Sequence, residues 1–297
     1  MNLKQFIGRI AAAVLALTSA GASAKAPVAA SPALWAVSDA DTTIYLFGTI
    51  HLLPSGLSWR SPAFDRAVVG SQQLVVETIV DEKNPTKIMS ALSSLAFTKG
   101  LPPLIERVPA AKRPALAAAI KKSGFPPAAL DQMETWAAAF MLLGGQFQTL
   151  DLKSGEGVEQ ILRSDFEGHK KPIGELETNV EQFGFFDRLS EKAQRDLLLG
   201  AIANDAAVKD EFSGMLRAWS RGDVKAIAKA FNRDLADSPE LADAIIAQRN
   251  ANWVKWIDAR LAQPGTIMVA VGAGHLAGSG SVIDRLRHQG LTIRRVQ

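Results

Sequence analysis

Gly48-Thr49-Ile50-His51-Leu52 and Gly272-Ala273-Gly274-His275-Leu276 repeat one pattern, Gly-x-x-His-Leu, near opposite ends of the chain. Each copy follows a short apolar run, Ile44 to Phe47 and Ile267 to Val271, with the length and β-branched content of a buried strand. The chain has only four histidines. Two of them in matching strand-end settings point to one site that the fold assembles from distant segments. Glycine in such a setting lets the backbone turn sharply and lets another group approach closely.

The pattern between the motifs alternates. Residues 43–50 read as a strand closed by the turn-like Leu53-Pro54-Ser55-Gly56, residues 62–70 as a helix, and residues 73–77 as a second apolar run ending in Glu77. Such a β-α-β unit favours parallel strands joined by a right-handed crossover. Residues 85–150 turn helical and are punctuated by prolines. The charge-free stretch 135–150 reads as a buried helix, because it falls short of the roughly 20 residues that span a bilayer. Residues 151–163 read as a turn and helix, 171–177 as a third strand ending in carboxylates, and 187–263 as helices. A fourth strand at 266–271, a helix at 281–289 and a strand at 291–296 complete a second β-α-β unit. The expected fold is α/β: a central, mostly parallel sheet flanked by helices, with a large helical insertion at about 85–165 and further helices at about 187–263.

The N-terminus has its own signature. Lys4 and Arg9 precede an apolar stretch at 10–21, and Ala22-Ser23-Ala24 fits a cleavage site, the layout of a secretory signal. The expected organisation is a signal peptide at 1–24, a flexible Ala/Pro-rich linker at 25–33 and one domain at 34–297, giving a periplasmic or secreted product with no membrane anchor after signal removal. Without Lys4 and Arg9, the 33 basic residues become 31 against 30 acidic ones. A balance this close, with no basic stripe, gives nucleic acid no purchase. Cysteine is absent, so disulfides, thiolate metal ligands and a cysteine nucleophile are excluded.

Ligands of an open parallel sheet collect beyond the carboxyl ends of its strands, where His51, Glu77, Glu177 and His275 are all expected. Two imidazoles and a carboxylate in a concave site match a borderline divalent ion with positions left for water. Such an ion lowers the pKa of water and polarises a carbonyl. Structural alternatives stand beside this reading. A single strand-end histidine can serve only as a hydrogen-bonded structural residue. Glu77, within an apolar run, needs a partner, and Arg249 would supply one. Arg249 would otherwise pair with Glu177, or hold a substrate carboxylate or developing oxyanion. Gly278 and Gly280 suggest an anion-binding loop, yet the P-loop ending and the dinucleotide Gly-x-Gly-x-x-Gly spacing are missing. His169 and His288 sit among charges and read as solvated. Neither His-Glu-x-x-His nor Gly-x-Ser-x-Gly occurs, against the zincin and α/β-hydrolase layouts.

Five segments taken together resemble the TraB/GumN family, which includes the Tiki metalloproteases and is related to erythromycin esterase-like and ChaN-like proteins. They are Tyr45 to His51, Val75-Val76-Glu77, Leu176-Glu177-Thr178 with Gln182, Arg249-Asn250 with Trp253, and Val271 to Gly278. The resemblance spans nearly the whole chain after the expected linker. It implies a hydrolase of peptides or of small-molecule esters and amides, with His51, His275 and Glu77 holding a divalent Mn, Co or Zn ion. Glu77 would be a third ligand or the general base. Arg249 and Asn250 would line the substrate site, with Glu177 a further candidate. The erythromycin esterase-like relatives imply a metal-independent alternative with histidine as base. ChaN-like relatives and the name GumN imply a non-catalytic protein that binds haem, iron or a polysaccharide component.

Overall fold

The structure is a computed structural model that describes residues 30–54, 56–80, 85–148, 157–202 and 205–297. The expected signal peptide and residues 25–29 of the expected linker lie outside the described residues. Six strands form one sheet: β1 Leu34–Ser38, β2 Thr42–Thr49, β3 Gln73–Val76, β4 Ile173–Glu175, β5 Gly265–Gly272 and β6 Ile293–Arg295. Their order is β4-β3-β5-β2-β1-β6. β4, β3, β5 and β2 run parallel, while β1 is antiparallel to both β2 and β6. The sheet is therefore mixed and mostly parallel, as the alternating pattern predicts. The antiparallel start is the departure from that pattern: β1, an apolar run ahead of the first motif, was not foreseen as a strand and folds back on β2 as a hairpin.

The helices, in chain order, are α1 Pro62–Gly70, α2 Thr86–Leu95, α3 Arg113–Ser123, α4 Pro127–Asp131, α5 Thr135–Gln148, α6 Val158–Gly168 and α7 Asn179–Asp187. They continue with α8 Glu191–Ala201, α9 Asp205–Ser220, α10 Val224–Leu235, α11 Pro239–Ala242, α12 Gln248–Leu261 and α13 Val282–His288. α1 has the bounds expected from sequence. Ser61 accepts a hydrogen bond from the Phe64 amide, and Pro62 occupies the first turn, where its missing N–H costs nothing.

β5 shows why its sequence is apolar throughout. Ile267, Val269 and Val271 face one layer, where α12 and α13 supply Trp253, Val254, Ile257, Leu261, Val282 and Leu286. Met268 and Ala270 face the other, with Phe64, Ala67 and Val68 of α1, Val158, Leu162 and Phe166 of α6, and Trp219. A strand buried on both faces reads as a continuous apolar run. α5, charge-free and rich in alanine, is buried with α3 and α8 in a third apolar cluster. Among the described residues no helix is long and apolar enough to cross a membrane.

Candidate functional site

β5 lies between β2 and β3, so the two motifs leave the sheet side by side and Glu77 arrives from the next strand. The register pairs Gly48 with Val271 and Thr49 with Gly272, an offset of one residue between the motifs. A Cβ on Gly48 would stand 3.0 Å from the Ala273 Cα and 3.2 Å from its Cβ. The first motif's glycine thus forms the wall against which the turn of the second motif packs. Gly272 serves the carboxylate instead. Its N–H donates to Glu77 Oε1 at 2.6 Å, and a Cβ there would come within 3.1 Å of that oxygen.

Across the ends of β4, β3, β5 and β2 the structure sets out Glu177, Glu77, His275 and His51, the order the topology dictates. Arg249 on α12 joins the first three. Its Nη2 donates to Glu77 Oε2 at 2.7 Å, and its Nε lies 3.0 Å from both oxygens of Glu177. The alternatives left open by sequence, Glu77 or Glu177, are both taken. The guanidinium also lies over the Trp253 ring, 4.7 Å from its centroid, and the Trp253 Nε1–H donates to Glu177 Oε1 at 2.8 Å. Two carboxylates thus share one buried cation.

The tautomer of His275 follows from its neighbours. The Gly280 carbonyl can only accept, so the atom of Asn250 2.9 Å from it is the amide nitrogen. Asn250 Oδ1 then faces His275 Nδ1 at 2.7 Å, and that ring nitrogen must carry the proton. The bare Nε2 accepts from Arg249 Nη1 at 3.2 Å and stands 3.9 Å from Glu77 Oε1. Burial lowers the pKa of His275 to about 4; Glu77 opposes that shift and Arg249 adds to it. The ring is neutral at neutral pH. Burial works against the charge of Glu77, but His275, Arg249, His51 and the Gly272 N–H hold its carboxyl down at about 2. Glu177 moves the other way, raised chiefly by burial despite its bonds to Arg249.

His51 sits at the rim with its side chain 72% exposed. Its Nδ1 lies 2.6 Å from Glu159 Oε2, and the other carboxylate oxygen accepts from the Thr49 hydroxyl at 2.5 Å. The Glu159 charge and hydrogen bond raise the pKa of His51, with Glu77 adding to the effect and Arg249 opposing it. Sequence reasoning missed Glu159, because it read residues 151–163 only as a turn and helix. The one local signal is an acidic residue in the first turn of an amphipathic helix, which the helix dipole alone would explain. His169 and His288 are exposed, as their charged surroundings predict.

The donor chemistry suits a borderline divalent ion. Both motif histidines bind an oxygen acceptor through Nδ1 and leave Nε2 for another partner, as metal-ligating histidines do, and the Glu77 carboxyl is held down at about 2. No preassembled cage exists, since among the described residues no three ligating side chains gather about one point. Arg249 already bonds to both Glu77 and His275.

An α/β sheet whose parallel strand ends carry two Gly-x-x-His turns and an arginine-bound pair of glutamates defines the class of protein. The chain belongs to the TraB/PrgY/gumN family, whose model matches residues 33–295. It is similar to the Escherichia coli (strain K12) protein designated "Uncharacterized protein YbaP", 25% identical over 82% of this chain and 87% of the relative. The Shigella flexneri protein of the same designation matches equally. No solved structure matches the chain.

Proposed function

We propose that the protein is an exported hydrolase of amide or ester bonds whose catalytic groups are His51, His275 and Glu77, with Arg249 and Asn250 lining the substrate site. One observation carries the reading. Two imidazoles on adjacent strand ends are each tied down at Nδ1, and a carboxylate from the neighbouring strand stands 3.9 Å from Nε2 of the second, His275. Export rests on the signal-like N-terminus.

The polar groups divide the work. A carboxylate held at about 2 is a weak proton acceptor at neutral pH, so Glu77 serves as a fixed negative charge and ligand rather than as the base. Asn250 holds His275 neutral with its lone pair at Nε2. Arg249 favours the charged forms of Glu77 and Glu177 and places N–H groups beside that nitrogen, where a developing oxyanion would be stabilised. His51 is the most basic imidazole of the pocket and the group suited to carry a proton to the leaving atom. A divalent ion, when bound, would be held by His51, His275 and Glu77 and would polarise the scissile carbonyl and acidify water. The contacts of Arg249 with Glu77 and His275 favour a second reading, in which the same residues cleave esters without a metal.

The test is hydrolysis of a peptide and ester panel by the purified protein, with chelator and with Mn²⁺, Co²⁺ or Zn²⁺ restored. His275→Ala is expected to lower kcat/KM by about 10² to 10⁴. Undiminished hydrolysis by that variant would reject the assignment, and full activity in chelator would select the metal-free reading.

A further inference from the structure

We infer that Glu159 is the positioning residue of His51, the counterpart on one face of the sheet of what Asn250 does for His275 on the other. The inference deepens the reading of the two-imidazole pocket and rests on it. An imidazole that is 72% exposed on a strand-end turn needs a hydrogen-bond partner to fix its tautomer. Its fixed contact is the Glu159 carboxylate at 2.6 Å. A carboxylate accepts, so Nδ1 bears the proton and Nε2 is the atom left for substrate or ion.

Three ties keep that carboxylate where it is. Its second oxygen accepts from Thr49, a buried residue of β2, so the strand that carries His51 also aims its anchor. The amide of the preceding residue, Val158, donates to the Ile50 carbonyl at 3.2 Å, joining the start of α6 directly to the first motif. Val158, Leu162 and Phe166 then bury the inner face of α6 in the apolar layer beneath β2, fixing the helix as a rigid mount. Asn250 comes from α12, which packs on the opposite face. The repeated motif is therefore matched by a repeated device, a hydrogen-bond acceptor delivered to Nδ1 from a helix. One acceptor is charged and the other neutral.

The experiment is ¹⁵N NMR of histidine-labelled full-length protein without substrate, comparing wild type, Glu159→Gln, Glu159→Ala and Thr49→Val. Spectra are recorded above the titration of His51, so that the ring shifts report the tautomer. Wild type is expected to show the Nδ1–H form. Glu159→Gln, which keeps an acceptor oxygen at the same reach, should retain it. Glu159→Ala should lose it to a mixture, and Thr49→Val should broaden it. Zinc affinity, read by calorimetry on the same proteins, should fall about 10- to 100-fold in Glu159→Ala and little in Glu159→Gln. An unchanged His51 tautomer and zinc affinity in Glu159→Ala would overturn the inference, as would loss of the Nδ1–H form in Glu159→Gln. Were Glu159→Ala to unfold, an undisturbed His51 in Thr49→Val would overturn it equally. These readouts need no turnover. A wild type that hydrolyses nothing yet shows the expected spectra refutes the hydrolase assignment and leaves the role of Glu159 standing.

Discussion

Asn250 holds His275 through a single 2.7 Å contact whose polarity is set on the far side of the amide, where the nitrogen is committed to the Gly280 carbonyl. One side chain thus ties the second motif's histidine to the loop that follows it. Asn250→Ala should remove about 1–3 kcal/mol of stability, the usual cost of leaving buried polar partners unmatched. Urea unfolding measures this. Asn250→Asp is the sharper comparison, because a carboxylate at that place would favour a protonated His275. The variant's imidazole should titrate at higher pH by NMR, and an unshifted ring would refute the assigned tautomer.

Arg249 is the single cation paired with both Glu77 and Glu177. Arg249→Ala strands both, and the expected loss is about 3–5 kcal/mol, seen as a lower urea midpoint. Arg249→Lys keeps the charge without the fork that reaches Glu77, Glu177 and His275 together, so it should recover only part of the loss. If Arg249→Ala unfolds at the wild-type midpoint, the shared-cation account of the pocket is wrong.

Acid should weaken the fold in two stages. The folded pKa of His275 is depressed to about 4 from 6.5, so between those values the unfolded chain binds the proton more readily and stability drops as pH falls. Glu77, lowered to about 2 from 4.5, adds a second loss of the same sign as pH falls through that window. Urea midpoints measured from pH 8 to pH 3 should decline below about 6.5, the unperturbed histidine value. His275→Gln should flatten the upper stage and also shrink the lower one, because His275 helps hold the Glu77 carboxyl down. Equal slopes in wild type and variant between about pH 6.5 and 4 would contradict the buried neutral imidazole.

The two motif glycines are expected to fail differently. Gly48→Ala pushes against the backbone of Ala273, an overpacking that costs about 1–3 kcal/mol and shows as a lower melting temperature. Gly272→Ala crowds the Glu77 carboxylate instead. Its effect should fall more on hydrolysis than on melting, and a large loss of stability with full activity would reverse that assignment.

The parallel strand ends were legible from sequence because apolar runs closing on Gly, His and Glu are local patterns. The convergence of His275 with Glu77 and Arg249 could be proposed, though not the sharing of one guanidinium by two carboxylates, which depends on where α12 lies across the sheet. β1 escaped notice because its apolar run follows a Pro/Ala-rich stretch and precedes the more conspicuous motif strand. Glu159 escaped for a physical reason: its contact with His51 crosses 108 positions of chain, and nothing in the local spacing marks it. The Gly48–Ala273 contact is likewise a product of register.

β2 and β3 never touch, for β5 separates them. Strands lie about 4.8 Å apart, so the ends of β2 and β3 stand roughly 10 Å apart in the folded sheet, and the strand that fills that gap carries the second histidine. A chain that stops before residue 265 therefore lacks both the strand that joins β2 to β3 and the histidine of the second motif. The segment that begins at β5 is the keystone, for it joins the two parts of the sheet and brings His275 to the pocket.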